Sequence, residues 1–102
     1  SGSLLFVSGV MPIDPSTNAL VENTIKAQAK QVMKNIDGVL KAAGYTVDDV
    51  VKTTCFLSDI NNFAAFNEVY GNYFTSKPAR SCMAVKELPK AALVEVEVIA
   101  NK

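Results

Sequence analysis

The stretch NTIKAQAKQVMKNIDGVLKAAG, residues 23–44, predicts the longest helix of the chain, and the other elements follow on either side of it. Its apolar side chains recur every three or four residues and so share one face of a helix: Ile25, Ala29, Val32, Ile36, Val39, Leu40 and Ala43. Asn23-Thr24 supplies an N-cap, and Gly44 stands where a left-handed residue ends a helix. Four lysines lie off the stripe, and we interpret them as a solvated face because no aromatic residues interleave them.

A strand pattern precedes this helix. Leu4 to Val7 is a short apolar run that ends at Ser8-Gly9, and Val10 to Ile13 continues it in extended form. Glycine inside a strand pattern marks a bulge or a close approach of the backbone to another group. Residues 14–18 are rich in Asp, Pro, Ser and Asn, which predicts a turn.

After the long helix, the sequence predicts a turn, a strand and a second helix. Thr46 to Asp49 resembles a capping box, and Val50 to Leu57 is rich in β-branched residues, as strands are. The second helix runs from about Asn62 to Phe74, with a buried stripe of four aromatic residues: Phe63, Phe66, Tyr70 and Phe74. Asn67 lies close to this stripe, so it either points outward or satisfies a buried partner or a ligand.

Two more strands complete the chain. Ser81 to Val85 has the short apolar side chains of a buried strand, and Ala92 to Ala100 is the last strand. In that last strand the valines face one way, while Glu95 and Glu97 face the other. The glutamate face meets water or lines a polar seam, and the second interpretation gains weight if another subunit covers this face.

This order of elements predicts a single two-layer α+β domain over residues 1–102. Two helices pack on one face of a mixed sheet of four to six strands, and helical crossovers favour right-handed β-α-β units with some parallel pairing. The second face of the sheet carries Val, Leu, Ile and Met from several strands. We therefore expect other copies of the chain to cover it.

The composition of the chain excludes several classes of protein. It has 102 residues, of which 49% are apolar and 20% charged, and its net charge is zero, which argues against nucleic acid as a partner. No apolar run reaches the roughly 20 residues that span a bilayer. The start, Ser1-Gly2-Ser3, lacks the features of a signal or transit peptide. We expect a cytoplasmic protein with no membrane partner.

The sequence contains no histidine, and its two cysteines, Cys55 and Cys82, do not have the spacing of a metal site. The commonest general base and every Ser/His or Cys/His nucleophile are therefore excluded. We expect both cysteines to pack as small apolar side chains, and we expect neither a metal nor a cofactor.

Arg80 is the strongest candidate for a functional side chain. It is the only arginine among ten basic residues, and it follows Pro78, which stops the chain and redirects it. A guanidinium binds a carboxylate or phosphate through two parallel hydrogen bonds, which an ammonium cannot do. One interpretation of Arg80 is an anion clamp. The other, which residue type alone favours, is an ordinary loop arginine paired with a surface carboxylate.

Several motifs together resemble the RidA (YjgF-like, L-PSP) family: LLFVSG at 4–9, PIDP at 12–15, DDVVK at 48–52, NEVY at 67–70, PARS at 78–81, LPK at 88–90 and VEVE at 94–97. The resemblance covers nearly the whole chain. It implies a chorismate-mutase-like fold of the bacillary type and a homotrimer with active sites in clefts between subunits. It also implies hydrolysis of reactive 2-enamine/2-imine acids, 2-iminobutanoate and 2-iminopropanoate, to 2-oxo acids and ammonia. The given residues start after the family segment that precedes the first strand and has the site tyrosine, so we expect a chain without that segment, and Val10 replaces a common glutamine.

The resemblance assigns roles position by position. Arg80 matches the clamp for the substrate carboxylate, and Glu95 matches the residue that orients the hydrolytic water. Four further positions match residues that line the substrate pocket, the last of them through its backbone: Ser8, Gly9, Asn67 and Cys82.

Three functions stay open at this point. The first is the imine deaminase, whose ligand is a small 2-imino or 2-oxo acid. The second is an L-PSP-type endoribonuclease or translation inhibitor, and the third is a trimer that binds small carboxylates without turnover. Three features argue against the ribonuclease: the charge is balanced, there is no Trp, and most aromatic residues lie on helix-core stripes. We favour the deaminase.

Overall fold

A computed structural model describes residues 3–102, so Ser1 and Gly2 of the start discussed above lie outside the described residues. In chain order the strands and helices are β1 (Leu4–Val10), β2 (Ile13–Asp14), β3 (Ala19–Leu20), α1 (Ile25–Ala42), β4 (Val50–Leu57), α2 (Phe63–Tyr73), β5 (Ala79–Ala84) and β6 (Val94–Asn101). Single 3₁₀ turns precede β4, α2 and β6. Neither helix is long and apolar enough to cross a membrane, as far as residues 3–102 are concerned.

The main sheet has four strands in the order β1-β6-β4-β5, and β2 pairs with β3 in a separate hairpin. Strand β4 pairs with β5 in parallel, while β6 is antiparallel to both β1 and β4. The prediction of a mixed sheet is therefore confirmed, with parallel pairing confined to β4 and β5. Both helices pack on one face, where they bury alternate residues of the two central strands: Thr53, Cys55, Leu57, Val94, Val96, Val98 and Ala100.

Helix α1 begins and ends where its sequence predicts. The Thr24 hydroxyl accepts a hydrogen bond from the Ala27 amide at 3.2 Å, which satisfies one of the free amides at the helix start. Gly44 follows the helix with a φ of +83°, the left-handed conformation that closes a helix. The turn before β4 has the predicted capping box, in which the Thr46 amide donates to Asp49 Oδ2 at 2.8 Å.

Strand β5 differs from its prediction. We expected a buried strand at 81–85, but β5 lies at the edge of the sheet, and Ala79, Ser81, Met83 and Ala84 are exposed. Short apolar side chains suit a central strand and an edge strand equally well, so local sequence does not separate the two. The last strand also begins later than predicted, at Val94, because a 3₁₀ turn over Pro89–Ala91 occupies the residues before it.

The face of the sheet that has no helices, here called the open face, is partly apolar and partly polar. Its larger apolar side chains come from all four strands: Leu4, Phe6, Phe56, Met83 and Ile99. Phe6 is 70% exposed and Met83 40%. The valines of β6 face the helices, as their alternation with Glu95 and Glu97 predicts, so they add nothing to the apolar part of this face.

Candidate functional site

Strand register places Arg80 and Cys82 on the helix side of β5. Arg80 lies opposite Thr53 of β4, and Cys82 lies opposite Cys55. Both partners on β4 are fully buried beneath the helices. Because side chains alternate along a strand, Arg80 and Cys82 face α2 rather than the open face.

Three residues of α2 hold the Arg80 side chain in place. Its Nη1 donates a hydrogen bond to Asn67 Oδ1, so Asn67 satisfies a partner rather than pointing outward. The guanidinium carbon lies 4.5 Å from the centroid of the Tyr70 ring and 5.5 Å from that of Phe63. Cation–π attraction at these distances stabilises the guanidinium beside the two rings. Tyr70 is itself fixed by a buried 2.7 Å hydrogen bond between its hydroxyl and that of Thr53.

Arg80 lies in a cleft between the end of α2 and the turn that leads into β5. The cleft has a volume of about 420 Å³, and its lining is Tyr70, Gly71, Phe74, Thr75, Lys77, Pro78 and Arg80. The ion pairs within residues 3–102 are Lys26–Glu68 and Lys41–Asp37, so Arg80 has no carboxylate partner there. The alternative of a loop arginine paired with a surface carboxylate is therefore wrong for this part of the chain.

The two cysteines are adjacent thiols. Burial raises the pKa of Cys82, and the nearby Arg80 guanidinium opposes that rise only in part. For Cys55, burial and then the neighbouring Cys82 raise the pKa to about 12. Both groups are protonated at neutral pH, which is the unreactive form of a cysteine. Within the described residues, no three His, Cys, Asp or Glu side chains cluster as a metal site would require.

Gly9 and Glu95 meet on the open face. The pairing of β1 with β6 shifts between Val7 and Val10, so Ser8 and Gly9 form the bulge that the sequence predicts. A Cβ atom added to Gly9 would overlap Glu95 Oε2 and lie 2.7 Å from Glu95 Cδ. The carboxylate of Glu95 therefore lies directly against the Gly9 backbone, and the close approach that glycine signals is present as well.

The candidate residues thus form two groups rather than one. Arg80, Asn67 and Cys82 are together on the helix side at β5. Glu95 lies opposite Phe56 on the other side of the sheet, with Gly9 against it and the exposed Ser8 beside it. A single copy of the chain does not bring the two groups into one pocket.

Sequence reasoning missed the aromatic residues that hold Arg80. Phe63, Asn67 and Tyr70 follow one another at i, i+4 and i+7, and so they share one face of α2. We assigned the aromatic pair to the core, yet Phe63 is only half-buried. The signal in the sequence was Asn67, a polar residue between two aromatic residues on the same face of the helix.

Comparisons with known proteins show the family and the fold of the chain. The family model described as "Endoribonuclease L-PSP" matches residues 1–102. The chain is 50% identical over 103 residues to a RutC family protein of Pyrococcus horikoshii, covering 100% of this chain and 82% of the relative. It is 45% identical to the 2-iminobutanoate/2-iminopropanoate deaminase of Salmonella typhimurium, covering 97% and 80%. The crystal structure of E. coli TdcF with bound serine superimposes with a TM-score of 0.93 at 38% identity, covering 99% and 82%.

Proposed function

The chain belongs to the L-PSP (RidA/YjgF) family, and on that premise we propose that it hydrolyses reactive 2-imino acids to 2-oxo acids and ammonia. The single observation that carries this proposal is the placement of Arg80 in a cleft, held by Asn67 and two aromatic rings. The name of the Salmonella relative supplies the substrates, 2-iminobutanoate and 2-iminopropanoate. The serine in the TdcF structure is an α-amino acid, which carries the same α-carboxylate. A cytoplasmic location is part of this proposal.

Arg80 would bind the α-carboxylate of the substrate. One of its N–H groups is used by Asn67, which leaves the other donors of the fork for two parallel hydrogen bonds to a carboxylate. The hydrogen bond to Asn67 and the contacts with the Tyr70 and Phe63 rings hold the guanidinium in place before the substrate arrives. Preorganisation of this kind lowers the entropy cost of holding the imine carbon in a reactive position.

Glu95 would orient the water that attacks this imine carbon. Addition of water to C2 gives a carbinolamine, and cleavage of the C2–N bond then releases ammonia and leaves the 2-oxo acid. The Glu95 carboxylate accepts a hydrogen bond from the attacking water and directs its lone pair at C2. Neither cysteine serves as a nucleophile in this mechanism, because burial raises the pKa of both thiols.

A site that uses both Arg80 and Glu95 requires two copies of the chain, because these side chains lie on opposite faces of one sheet. We propose that the open face of one copy lies against the β5 edge of the next, in a homotrimer. The exposed Phe6 and Met83 support this arrangement, since apolar side chains of this size gain from being covered. Each of three equivalent clefts would then contain one Arg80 and one Glu95.

Replacement of Arg80 tests the proposal. We expect Arg80→Lys to lower kcat/KM for 2-iminobutanoate by at least about tenfold, roughly 1.4 kcal/mol, because an ammonium lacks the fork of donors. Arg80→Ala should lose more. The substrate is generated by threonine dehydratase, and hydrolysis is followed by the release of 2-oxobutanoate.

Lys26→Ala provides the control, because it removes an exposed cation of α1 that is paired with Glu68 and does not line the cleft. It should keep the wild-type rate. An Arg80→Lys protein as fast as the wild type would show that Arg80 is not the clamp. Tight binding of 2-oxobutanoate without faster imine decay would instead identify a carboxylate-binding protein.

The description of the matching family model favours one second candidate, an endoribonuclease. Its physical support is weaker, since a net charge of zero gives no general attraction for a polyanion. This candidate requires RNA binding that weakens with salt, and cleavage that survives repeated purification and disappears in a site variant. If both appear, and imine hydrolysis does not, the ribonuclease replaces the deaminase.

A further inference from the structure

The cleft that contains Arg80 also contains a second cation, Lys77, and no acidic residue. Its lining otherwise consists of Tyr70, Phe74, Pro78 and two smaller residues. The volume, about 420 Å³, is within the range of small-molecule sites. A small acid bound to Arg80 therefore lies in a cleft whose other charge is also positive.

Lys77 is held at the cleft by an unusual backbone conformation. Its φ is +56°, in the left-handed region that residues other than Gly, Asn and Asp rarely adopt, and its amide donates to the Phe74 carbonyl at 3.2 Å. Pro78 follows immediately and fixes the next φ. Glycine would adopt this turn with less strain, yet the position has a long cationic side chain.

Neither cation has a carboxylate partner within residues 3–102. Glu68 and Asp37 are the carboxylates engaged in ion pairs within residues 3–102, and they pair with Lys26 and Lys41. A ligand with a single carboxylate would satisfy Arg80 and leave Lys77 without an anion. A ligand with two anionic groups would satisfy both.

Resting on the imine hydrolysis proposed above, we infer that the preferred substrates are 2-imino dicarboxylic acids, with the α-carboxylate on Arg80 and the distal carboxylate on Lys77. The two residues are three positions apart, so their Cα atoms are separated by at most about 10 Å. The flexible lysine stem spans the remaining distance to the second carboxylate of a four- or five-carbon diacid. The reaction is unchanged: water adds at C2, ammonia leaves, and a 2-oxo dicarboxylate is formed.

A comparison of two substrates tests this inference. The first is 2-iminobutanedioate, formed in situ from L-aspartate by an amino-acid oxidase, and the second is 2-iminobutanoate. We expect wild-type kcat/KM to favour the diacid by about fivefold, the size of effect that a solvent-exposed ion pair supports. Lys77→Gln should remove that preference by raising KM for the diacid. Lys86→Gln, which changes an exposed lysine outside the cleft, should retain it. Equal ratios in the wild-type and Lys77→Gln proteins would overturn the inference.

Calorimetric titration with succinate, butanoate and inorganic phosphate separates this inference from the proposed function. Succinate that binds more tightly than butanoate, with the difference lost in Lys77→Gln, supports the two-cation site even if no imine is hydrolysed. Phosphate that binds more tightly than succinate overturns the dicarboxylate assignment. If the protein hydrolyses 2-iminobutanoate but binds succinate no more tightly than butanoate, this inference is wrong and the proposed deaminase activity is unaffected.

Discussion

At the scale of single residues, Gly9 provides the most direct control over the position of Glu95. A methyl group at Gly9 would occupy the space of the Glu95 carboxylate, which is the mobile end of a long side chain and can move away at little cost. We therefore expect Gly9→Ala to lower kcat by about as much as Glu95→Gln, with a small change in stability. Steady-state kinetics and a thermal unfolding curve measure the two effects.

Glu97→Gln is the matched control for that prediction, because Glu97 lies two residues further along the same face of β6 and does not meet Gly9. It should retain most of the activity. If Gly9→Ala hydrolyses imines at the wild-type rate, the position of the Glu95 carboxylate against Gly9 has no role in the reaction.

The Cys82 thiol gives a second prediction at this scale. Its pKa is raised by burial above the usual 9.0, so at pH 7 it holds less thiolate than a free cysteine does. Alkylation of Cys82 by iodoacetamide should therefore be slower than that of glutathione at pH 7, and it should accelerate as the pH rises above 9. Mass spectrometry of the modified peptide gives the rates.

Cys55 is the internal reference for this measurement, since burial and its neighbour raise its pKa to about 12 and it should react more slowly still. Fast labelling of Cys82 at pH 7, or a loss of about a thousandfold in kcat for Cys82→Ala, would identify it as a nucleophile.

Arg80 shows what the sequence reveals about single residues. Its rarity and its place after Pro78 were sufficient to single it out, because they depend on residue type and local backbone alone. The roles of Phe63 and Tyr70 were not predicted, because an apolar stripe on a helix has the same pattern whether it contacts a core or a cation. Only the register of β5 against β4 brings the guanidinium over those rings.

At the scale of elements, the start of α1 depends on one side chain. The Thr24 hydroxyl caps the Ala27 amide, whereas Asn23 precedes the cap and is exposed. We expect Thr24→Ala to reduce the free energy of unfolding by about 1 kcal/mol, which corresponds to about 4 °C in Tm. The comparison requires equal protomer concentrations, because assembly shifts Tm by mass action.

Asn23→Ala is the matched control, because the sequence alone did not decide whether Asn23 or Thr24 is the N-cap residue. A change below about 0.5 kcal/mol is expected for this variant, as for an ordinary surface position. If the two variants lose equal stability, the cap does not depend on Thr24 alone.

The elements differ in how well local sequence predicts them. Strand β4 begins and ends at the predicted residues because its β-branched run is bounded by a capping box and by Ser58-Asp59. Strand β3 was missed, because two residues in a hairpin show no periodicity. The edge position of β5 was also missed. A strand lies at the edge because no other strand pairs with its second side, and its own sequence does not determine that.

At the scale of the whole molecule, strand order decides which residues can share a site. The sequence predicted two layers and alternating faces for β6, and the structure agrees. It could not predict that Arg80 and Glu95 lie on opposite faces. That result depends on β4, which pairs with both β5 and β6 and fixes their faces relative to each other.

This arrangement makes mixed assemblies the most informative test of the proposed site. Arg80→Ala and Glu95→Gln proteins should each be inactive alone. If each site takes Arg80 from one copy and Glu95 from another, random 1:1 trimers formed by joint refolding should recover about one quarter of wild-type activity, since each residue is intact with a probability of about one half.

Simple mixing without refolding should recover less when subunits exchange slowly. A double variant refolded 1:1 with wild type should retain about one quarter of the activity if each site is shared by two copies, and about one half if one copy supplies both residues. No recovery after joint refolding, in trimers shown by native mass spectrometry to be mixed, would mean that one copy supplies both residues, and the proposed cleft between two copies would be wrong.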